Sequence, residues 1–97
     1  MNYIERNVIL KEKCGLYVDA YYASPVSKMV ALAQKFESKI QIKYKDKTVD
    51  GKSILWVASL GVKFGDEMTI CADGKDALNA IEVLCELVNS NFTDKNN

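Results

Sequence analysis

A repeated change in the spacing of apolar residues constrains the fold of this chain more than any other feature. Alternation, in which successive side chains point to opposite faces, predicts four strands. These predicted strands cover residues 2–10, 40–44, 48–50 and 68–72. Spacings of three and four residues predict helices at 25–36 and 76–89, and a short helix is predicted from Ser53 to Leu60. The predicted order of elements is β-α-β-β-α-β-α.

This order predicts an α/β chain of the α+β type, with one four-stranded and mostly antiparallel sheet. Three helices are expected on one face of the sheet, because the strands cannot cover both faces by themselves. A chain of 97 residues is expected to form one domain, predicted at residues 1–90, and the polar segment 91–97 is predicted to be a disordered tail. In the first strand, Tyr3, Val8 and Leu10 are the candidate inward positions.

Serine residues mark the starts of two predicted helices. Ser24 precedes Pro25, and a serine cap followed by proline at the first helical position is a typical helix start. Ser53 precedes the short helix in the same way. Val57 and Leu60, four and seven residues after Ser53, are expected to lie mainly in the core.

The balance of charges argues against several classes of partner. The chain has 13 basic and 13 acidic residues, so neither nucleic-acid binding through a basic face nor adsorption to anionic lipid is expected. No apolar run approaches the roughly 18 residues that span a bilayer. No charged-then-apolar signal segment opens the chain. We therefore expect a soluble, cytoplasmic protein that does not bind membranes.

The residues that usually carry catalysis or bind metals are scarce. The chain has no histidine, and its three cysteines, Cys14, Cys71 and Cys85, include no pair with C-x-x-C spacing. The thiols are expected to be reduced, and neither a metal site nor a cofactor is expected. With no clear pair of nucleophile and base, the sequence predicts no catalytic site and no enzymatic activity.

The segment 52–62, KSILWVASLGV, resembles the regulatory-serine segment of the HPr family, the small phosphocarrier proteins of the bacterial sugar phosphotransferase system. The resemblance runs from about Val8 to Val88 and includes the predicted order of elements. Further matches in spacing are Lys35-Phe36, the turn at Gly65 and the break at Asp73-Gly74. The resemblance implies the HPr fold, an open-faced sandwich.

The active-site loop of the HPr family reads G-[IL]-H-A-R-P, and this chain departs from it at the histidine and the arginine. Aligned from Pro25, Tyr22 takes the phosphohistidine position and Ser24 the arginine position. Aligned from Gly15, Tyr17 takes the histidine position, and the loop is about five residues longer than usual. Tyrosine has a pKa near 10, and its phosphate ester is stable, so phosphate relay through either residue is not expected.

The resemblance implies that Ser53 is the serine on which HPr kinase/phosphorylase acts. A phosphate at a helix N-cap can accept N–H bonds and meets the positive end of the helix dipole, with Lys52 beside it. Without the resemblance, Ser53 would be expected only to cap its helix. The resemblance also implies a partner-binding surface at Lys52, Ile54 and Leu55. Trp56 is either an exposed binding anchor or a residue packed on the lengthened loop.

Three functions remain open on this resemblance. One is a regulatory module of the catabolite-repression type, which binds a LacI-type catabolite control repressor once Ser53 is phosphorylated. A second is a diverged phosphotransferase component that meets enzyme I-like surfaces, and a third is a scaffold without phosphate chemistry. Such a scaffold could be a homodimer, since some relatives exchange their first strand and the long loop after Leu10 could act as the hinge.

Overall fold

A computed structural model describes residues 2–11, 25–63, 65–90 and 92. Within these residues the chain forms four strands and three helices in the predicted order β-α-β-β-α-β-α. The strands are β1 (Tyr3–Ile9), β2 (Lys39–Tyr44), β3 (Lys47–Asp50) and β4 (Glu67–Asp73). The helices are α1 (Pro25–Ala33), α2 (Ile54–Ser59) and α3 (Ala77–Asn89). None of these helices is long and apolar enough to cross a membrane.

The four strands form one sheet in the order β1-β4-β2-β3, and each of the three pairings is antiparallel. Alternate residues of the central strands β2 and β4 face the helices and form the middle of the core. These are Ile40, Ile42, Met68, Ile70 and Ala72. The three helices lie against this sheet as an α+β open-faced sandwich, which confirms the predicted fold class.

The helices bury apolar residues at the spacing that predicted them. In α3 the buried residues recur every three or four positions: Ala77, Ala80, Ile81, Leu84, Cys85 and Val88. In α1 the buried residues are Val26, Met29, Val30 and Ala33. A stripe at this spacing covers one side of a helix, so each helix presents a single apolar face to the sheet.

Strand β1 confirms two of its three predicted inward positions. Val8 and Leu10 are buried, but Tyr3 is 45% exposed, so its prediction as an inward residue was wrong. The side chains of a strand alternate between its faces, and Tyr3 is an odd number of residues from both Val8 and Leu10. It therefore lies on the face of the sheet that the helices leave open, where its hydroxyl donates to Glu5 Oε1 at 2.7 Å.

The first helix ends three residues earlier than predicted. Helix α1 stops at Ala33, and the amides of Lys35 and Phe36 donate to carbonyls three residues back, on Leu32 and Ala33. Such bonds form a tighter turn than the α-helix, with nearly the same apolar spacing over so short a stretch. Phe36 still packs against the core, which explains why the pattern extended to it.

The core extends beyond residue 90, where the domain was predicted to end. Phe92 is only 3% exposed and belongs to the apolar core. Its amide donates to the carbonyl of Leu87 at 2.8 Å, and its carbonyl accepts from Lys28 Nζ at 3.0 Å. The predicted disordered tail was therefore wrong at Phe92. The other residues of that tail, 91 and 93–97, lie outside the described residues.

Candidate functional site

Ser53 lies between β3 and α2 and caps the helix, as predicted. Its backbone is extended, and its hydroxyl oxygen accepts a long hydrogen bond of 3.4 Å from the amide of Trp56. The Ser53 carbonyl accepts the first helical bond, from the amide of Val57 at 3.0 Å. The side chain is half-buried, so its oxygen takes part in the cap at the edge of the surface.

A glycine places this serine next to the sheet. The amide of Gly51 donates to the carbonyl of Ile40 at 2.8 Å. A Cβ at Gly51 would lie 2.8 Å from Ile40 Cγ2, which is closer than carbon atoms approach without displacement. Only glycine lets the chain pass this close to β2. Lys52, the next residue, contacts the turn that follows α1.

Lys52 makes three hydrogen bonds that fix it between β3 and the end of α1. Its ammonium group donates to the carbonyl of Phe36 at 2.7 Å, and its carbonyl accepts from Gln34 Nε2 at 2.9 Å. Its amide donates to Asp50 Oδ1 at 2.9 Å. In the unmodified chain the Lys52 charge is thus directed to the turn that follows α1.

Three consecutive apolar residues of α2 form an exposed surface, which we call the α2 patch. The exposed fractions of its members are 40% for Ile54, 79% for Leu55 and 61% for Trp56. Val57 and Leu60 are buried, as predicted from their spacing after Ser53. Trp56 is thus exposed, and the lengthened loop of the alternative interpretation lies outside the described residues.

The predicted active-site loop lies outside the described residues, and so do Tyr17, Tyr22 and Ser24. Pro25 begins α1, as predicted. Cys71 and Cys85 are free, buried thiols, and burial raises the pKa of Cys85. Among the described residues, no group of His, Cys, Asp or Glu could hold a metal ion.

A hydrogen-bonded cluster around Asp66 joins the ends of β1 and β2 to the segment before β4. Asp66 Oδ2 accepts from the Tyr44 hydroxyl at 2.6 Å and from the amide of Lys63 at 2.9 Å. The carbonyl of Asp66 accepts from the amide of Leu10 at 3.0 Å, and the Leu10 carbonyl accepts from the amide of Gly65. The Tyr44 hydrogen bond, followed by that from Lys63, lowers the pKa of the Asp66 carboxyl.

Sequence reasoning missed two residues that hold the Ser53 segment in place, Gln34 and Phe36. Both contact Lys52, from which they are separated by 18 and 16 residues. Phe36 contributes only its backbone carbonyl, which is common to all residues, and Gln34 is one polar residue at a helix end. No spacing or composition signal could have identified either contact.

The model of the family described as the PTS HPr component phosphorylation site matches residues 4–90 of this chain. The chain belongs to the PTS HPr family. It is similar to HPr-C-His from Thermoanaerobacter tengcongensis, with 34% identity and a TM-score of 0.84 over 95% of this chain and 98% of that one. Members of the HPr family are phosphocarriers and not enzymes.

This chain also covers nearly the whole length of two further HPr-family structures. The phosphocarrier protein HPr from Bacillus anthracis has 32% identity and a TM-score of 0.80, over 91% of this chain and 99% of that one. Crh, the catabolite repression containing protein of Bacillus subtilis, has 30% identity and a TM-score of 0.68, over 94% and 99%. The Crh structure is a swapped dimer. Since this chain has no histidine, none of its residues can carry a phosphohistidine.

Proposed function

We propose that this chain is a regulatory binding module of the HPr family, switched by phosphorylation of Ser53. The observation that carries the proposal is the position of Ser53, which caps α2 directly before the exposed α2 patch (Ile54, Leu55 and Trp56). Support also comes from the similarity to Crh, whose name connects it with catabolite repression, and from the absence of histidine. The chain would act in the cytoplasm, where ATP is available to a kinase.

The proposed reaction transfers the γ-phosphoryl group of ATP to Ser53. A bond forms between Ser53 Oγ and the γ-phosphorus, the bond to the leaving ADP breaks, and the hydroxyl proton passes to a base of the HPr kinase/phosphorylase. The product carries about two negative charges at neutral pH. At the cap of α2 the phosphate oxygens can accept backbone N–H bonds in place of the serine hydroxyl.

The proposed partner of the phosphorylated form is a LacI-type catabolite control repressor. The α2 patch offers it three adjacent apolar side chains, of which Trp56 presents the largest surface. A phosphate on Ser53 would stand at one end of this patch. A partner with a basic group beside an apolar pocket would then bind the modified form in preference to the unmodified one, since the charge pair forms only after phosphorylation.

Intact mass spectrometry after incubation with ATP and an HPr kinase/phosphorylase tests the proposal. We expect one added phosphate on the natural chain and none on the Ser53→Ala variant. Ser59→Ala, which removes an exposed serine of the same helix, is the matched control and should still accept one phosphate. If a kinase that is active on ordinary HPr adds no phosphate to the natural chain, the proposed switch does not exist.

A homodimer formed by strand exchange is a second candidate. The swapped dimer of Crh favours it, together with the position of β1 at the edge of the sheet, where it pairs with β4 alone among the described strands. Light scattering across a hundredfold range of protein concentration would detect the dimer.

A diverged phosphotransferase component would instead take phosphate from phosphoenolpyruvate through enzyme I, which labelled phosphoenolpyruvate would reveal.

A further inference from the structure

We propose that Lys52 couples the modification of Ser53 to the end of α1. In this proposal a phosphate on Ser53 draws the Lys52 ammonium group away from the Phe36 carbonyl and thereby loosens the turn at residues 34–36. The inference rests on the proposed phosphorylation of Ser53, and it names the path by which that modification would change the structure elsewhere. Lys52 acts here as a positioning residue and not as a group that binds the partner.

The unmodified chain holds the Lys52 ammonium group in one place. Its hydrogen bond to the Phe36 carbonyl measures 2.7 Å and is partly buried. The backbone of Lys52 is held on both sides, because Asp50 accepts from its amide and Gln34 donates to its carbonyl. A change in the direction of the side chain would therefore leave the backbone in place and break only the bond to Phe36.

A phosphate on Ser53 would compete directly for this ammonium group. The Cα atoms of Lys52 and Ser53 are adjacent in the chain, about 3.8 Å apart, and the four-carbon stem of lysine is flexible enough to turn toward a neighbouring phosphate. The Lys52 donor is ionised in both bonds, so both are charge-assisted, but only the phosphate adds the Coulomb attraction of a full opposite charge. The Phe36 carbonyl is neutral, whereas the phosphate carries about two negative charges. The phosphate should therefore bind the ammonium group more strongly than the carbonyl does.

The loss of this bond would weaken the turn that follows α1. The turn after α1 has two ties to the Ser53 segment: the bond from Lys52 to the Phe36 carbonyl and the bond from Gln34 to the Lys52 carbonyl. The amides of Lys35 and Phe36 donate to carbonyls three residues back, a geometry weaker than that of the regular helix. Removing one of the two ties should therefore increase local opening of this turn.

Hydrogen exchange of the backbone amides, measured by NMR, tests the coupling. Phosphoserine is placed at position 53 during translation, so that no kinase is needed. In the natural sequence we expect exchange at Lys35 and Phe36 to become roughly three- to tenfold faster after modification, as befits the loss of one hydrogen bond. In the Lys52→Met variant exchange at these amides should be fast already, and the modification should not change it further.

Two further variants separate the coupling from a general loss of structure. Lys35→Met removes an exposed lysine of the same turn and should leave the effect of phosphoserine intact. Lys52→Arg keeps a cation on a long stem and should restore the effect. A crystal structure of the natural sequence with phosphoserine supplies a readout without any variant, and the distance from Lys52 Nζ to the Phe36 carbonyl should rise from 2.7 Å to more than about 4 Å.

The proposal is overturned if phosphoserine leaves exchange at Lys35 and Phe36 unchanged in the natural sequence. It is also overturned if the modification accelerates exchange equally in the natural sequence and in Lys52→Met, or if the Lys52 bond to Phe36 persists in the modified crystal structure. These outcomes are distinct from a failure of the proposed function. The coupling is measured on a chain that already contains phosphoserine, so its result does not depend on whether a kinase modifies Ser53.

Discussion

At the scale of single residues, Asp76 joins two segments that are far apart in the sequence. Its carboxylate accepts hydrogen bonds from the amides of Glu37 and Ser38 and from the buried hydroxyl of Ser38. Gly74 lets the chain come this close, since a Cβ there would lie 2.6 Å from Ser38 Oγ and its φ of 152° is unfavourable for other residues. Asp76 thus fixes the start of α3 against the start of β2.

Asp76 should make the stability of the domain depend on pH. The Ser38 hydroxyl, together with the amides of Glu37 and Ser38, holds the pKa of the Asp76 carboxyl below its usual value. A carboxyl with a lowered pKa in the folded chain stabilises the fold above its unfolded pKa, near 3.9, and this contribution is lost as pH falls through the folded pKa. Urea titrations at several pH values between 2 and 7 should show this loss in the natural chain.

The Asp76→Asn variant provides the comparison for that titration. It keeps an acceptor oxygen but cannot ionise, so it should be less stable than the natural chain at pH 7, and the difference should shrink toward pH 2. Asp73→Asn, at an exposed position of β4, should leave the profile of the natural chain nearly unchanged. If natural chain and Asp76→Asn lose stability in parallel across the range, the hydrogen bonds of Asp76 do not stabilise its charged form.

The burial of Phe92 was the feature least predictable from the sequence. It follows the last helical residue by three positions, within a polar segment, and it has a positive φ of 62°, which is rare for an aromatic residue. Composition predicts a free tail there, because one aromatic residue among polar neighbours makes no pattern. The structure instead buries its ring and holds its carbonyl through Lys28.

Truncation of Phe92 should therefore destabilise the domain. Phe92→Ala removes a buried ring, and such substitutions cost about 3–5 kcal/mol in a well-packed core. Relief of the positive φ would not occur, since alanine is also strained there. Urea unfolding followed by circular dichroism measures the change, and Asn89→Ala, at an exposed position of α3, should alter stability by less than about 0.5 kcal/mol. Equal stability of Phe92→Ala and the natural chain would contradict the burial of the ring.

At the scale of elements, the period of the apolar residues predicted which helices and strands form. It did not determine the residues at which they end. Helix α3 was predicted within one residue of its observed limits, because six buried residues repeat along it. Helix α1 was predicted three residues too long, because Phe36 keeps the apolar spacing after the helical hydrogen bonds have ended. Tyr3 was wrongly predicted to face inward because it is aromatic, although strict alternation from Val8 places it on the opposite face of β1.

The element that we propose for docking is α2, in which Val57 is buried and Ile54, Leu55 and Trp56 are exposed. The central contribution to binding should come from Trp56, since tryptophan is the residue most often found to dominate an interface. For the phosphorylated chain, Trp56→Ala should weaken repressor binding at least about thirtyfold, as the loss of a dominant anchor worth 2 kcal/mol or more implies. Calorimetric titration measures this affinity.

Leu78→Ala is the matched control for the Trp56 substitution. Leu78 is an exposed apolar residue too, but it belongs to the first turn of α3 and not to the α2 patch. Its substitution should leave the affinity unchanged within about twofold. If Trp56→Ala binds as tightly as the natural chain, or if Leu78→Ala weakens binding to the same degree, the α2 patch is not the docking surface.

At the scale of the whole molecule, the fold and the Ser53 segment were predictable, whereas the contacts between distant segments were not. The order of elements and the resemblance to the HPr family were sufficient for the sheet, the helices and the cap at Ser53. The ties of Lys52 to α1 and of Asp76 to Ser38 join residues 16 to 38 positions apart. Local patterns carry no signal for such pairs, because many alternative polar residues could have met.

The zero net charge of the molecule conceals an uneven distribution. Residues 35–63, which include β2, β3 and α2, contain seven lysines and three acidic residues, whereas residues 65–90 contain one lysine and six acidic residues. The segment that carries Ser53 and the α2 patch is thus rich in lysine before modification. A phosphate on Ser53 would place a strong negative charge within this basic segment and change how a charged partner approaches it.

The central claim is that phosphorylation of Ser53 switches docking through α2, and the fluorescence of Trp56 tests it most directly. Trp56 is the only tryptophan of the chain, so its emission reports on the α2 patch alone when the repressor used lacks tryptophan. Titration with a LacI-type catabolite control repressor should shift this emission to shorter wavelength for the Ser53-phosphorylated chain and leave the unmodified chain unchanged. An identical response of the two forms, or none from either, would contradict the claim.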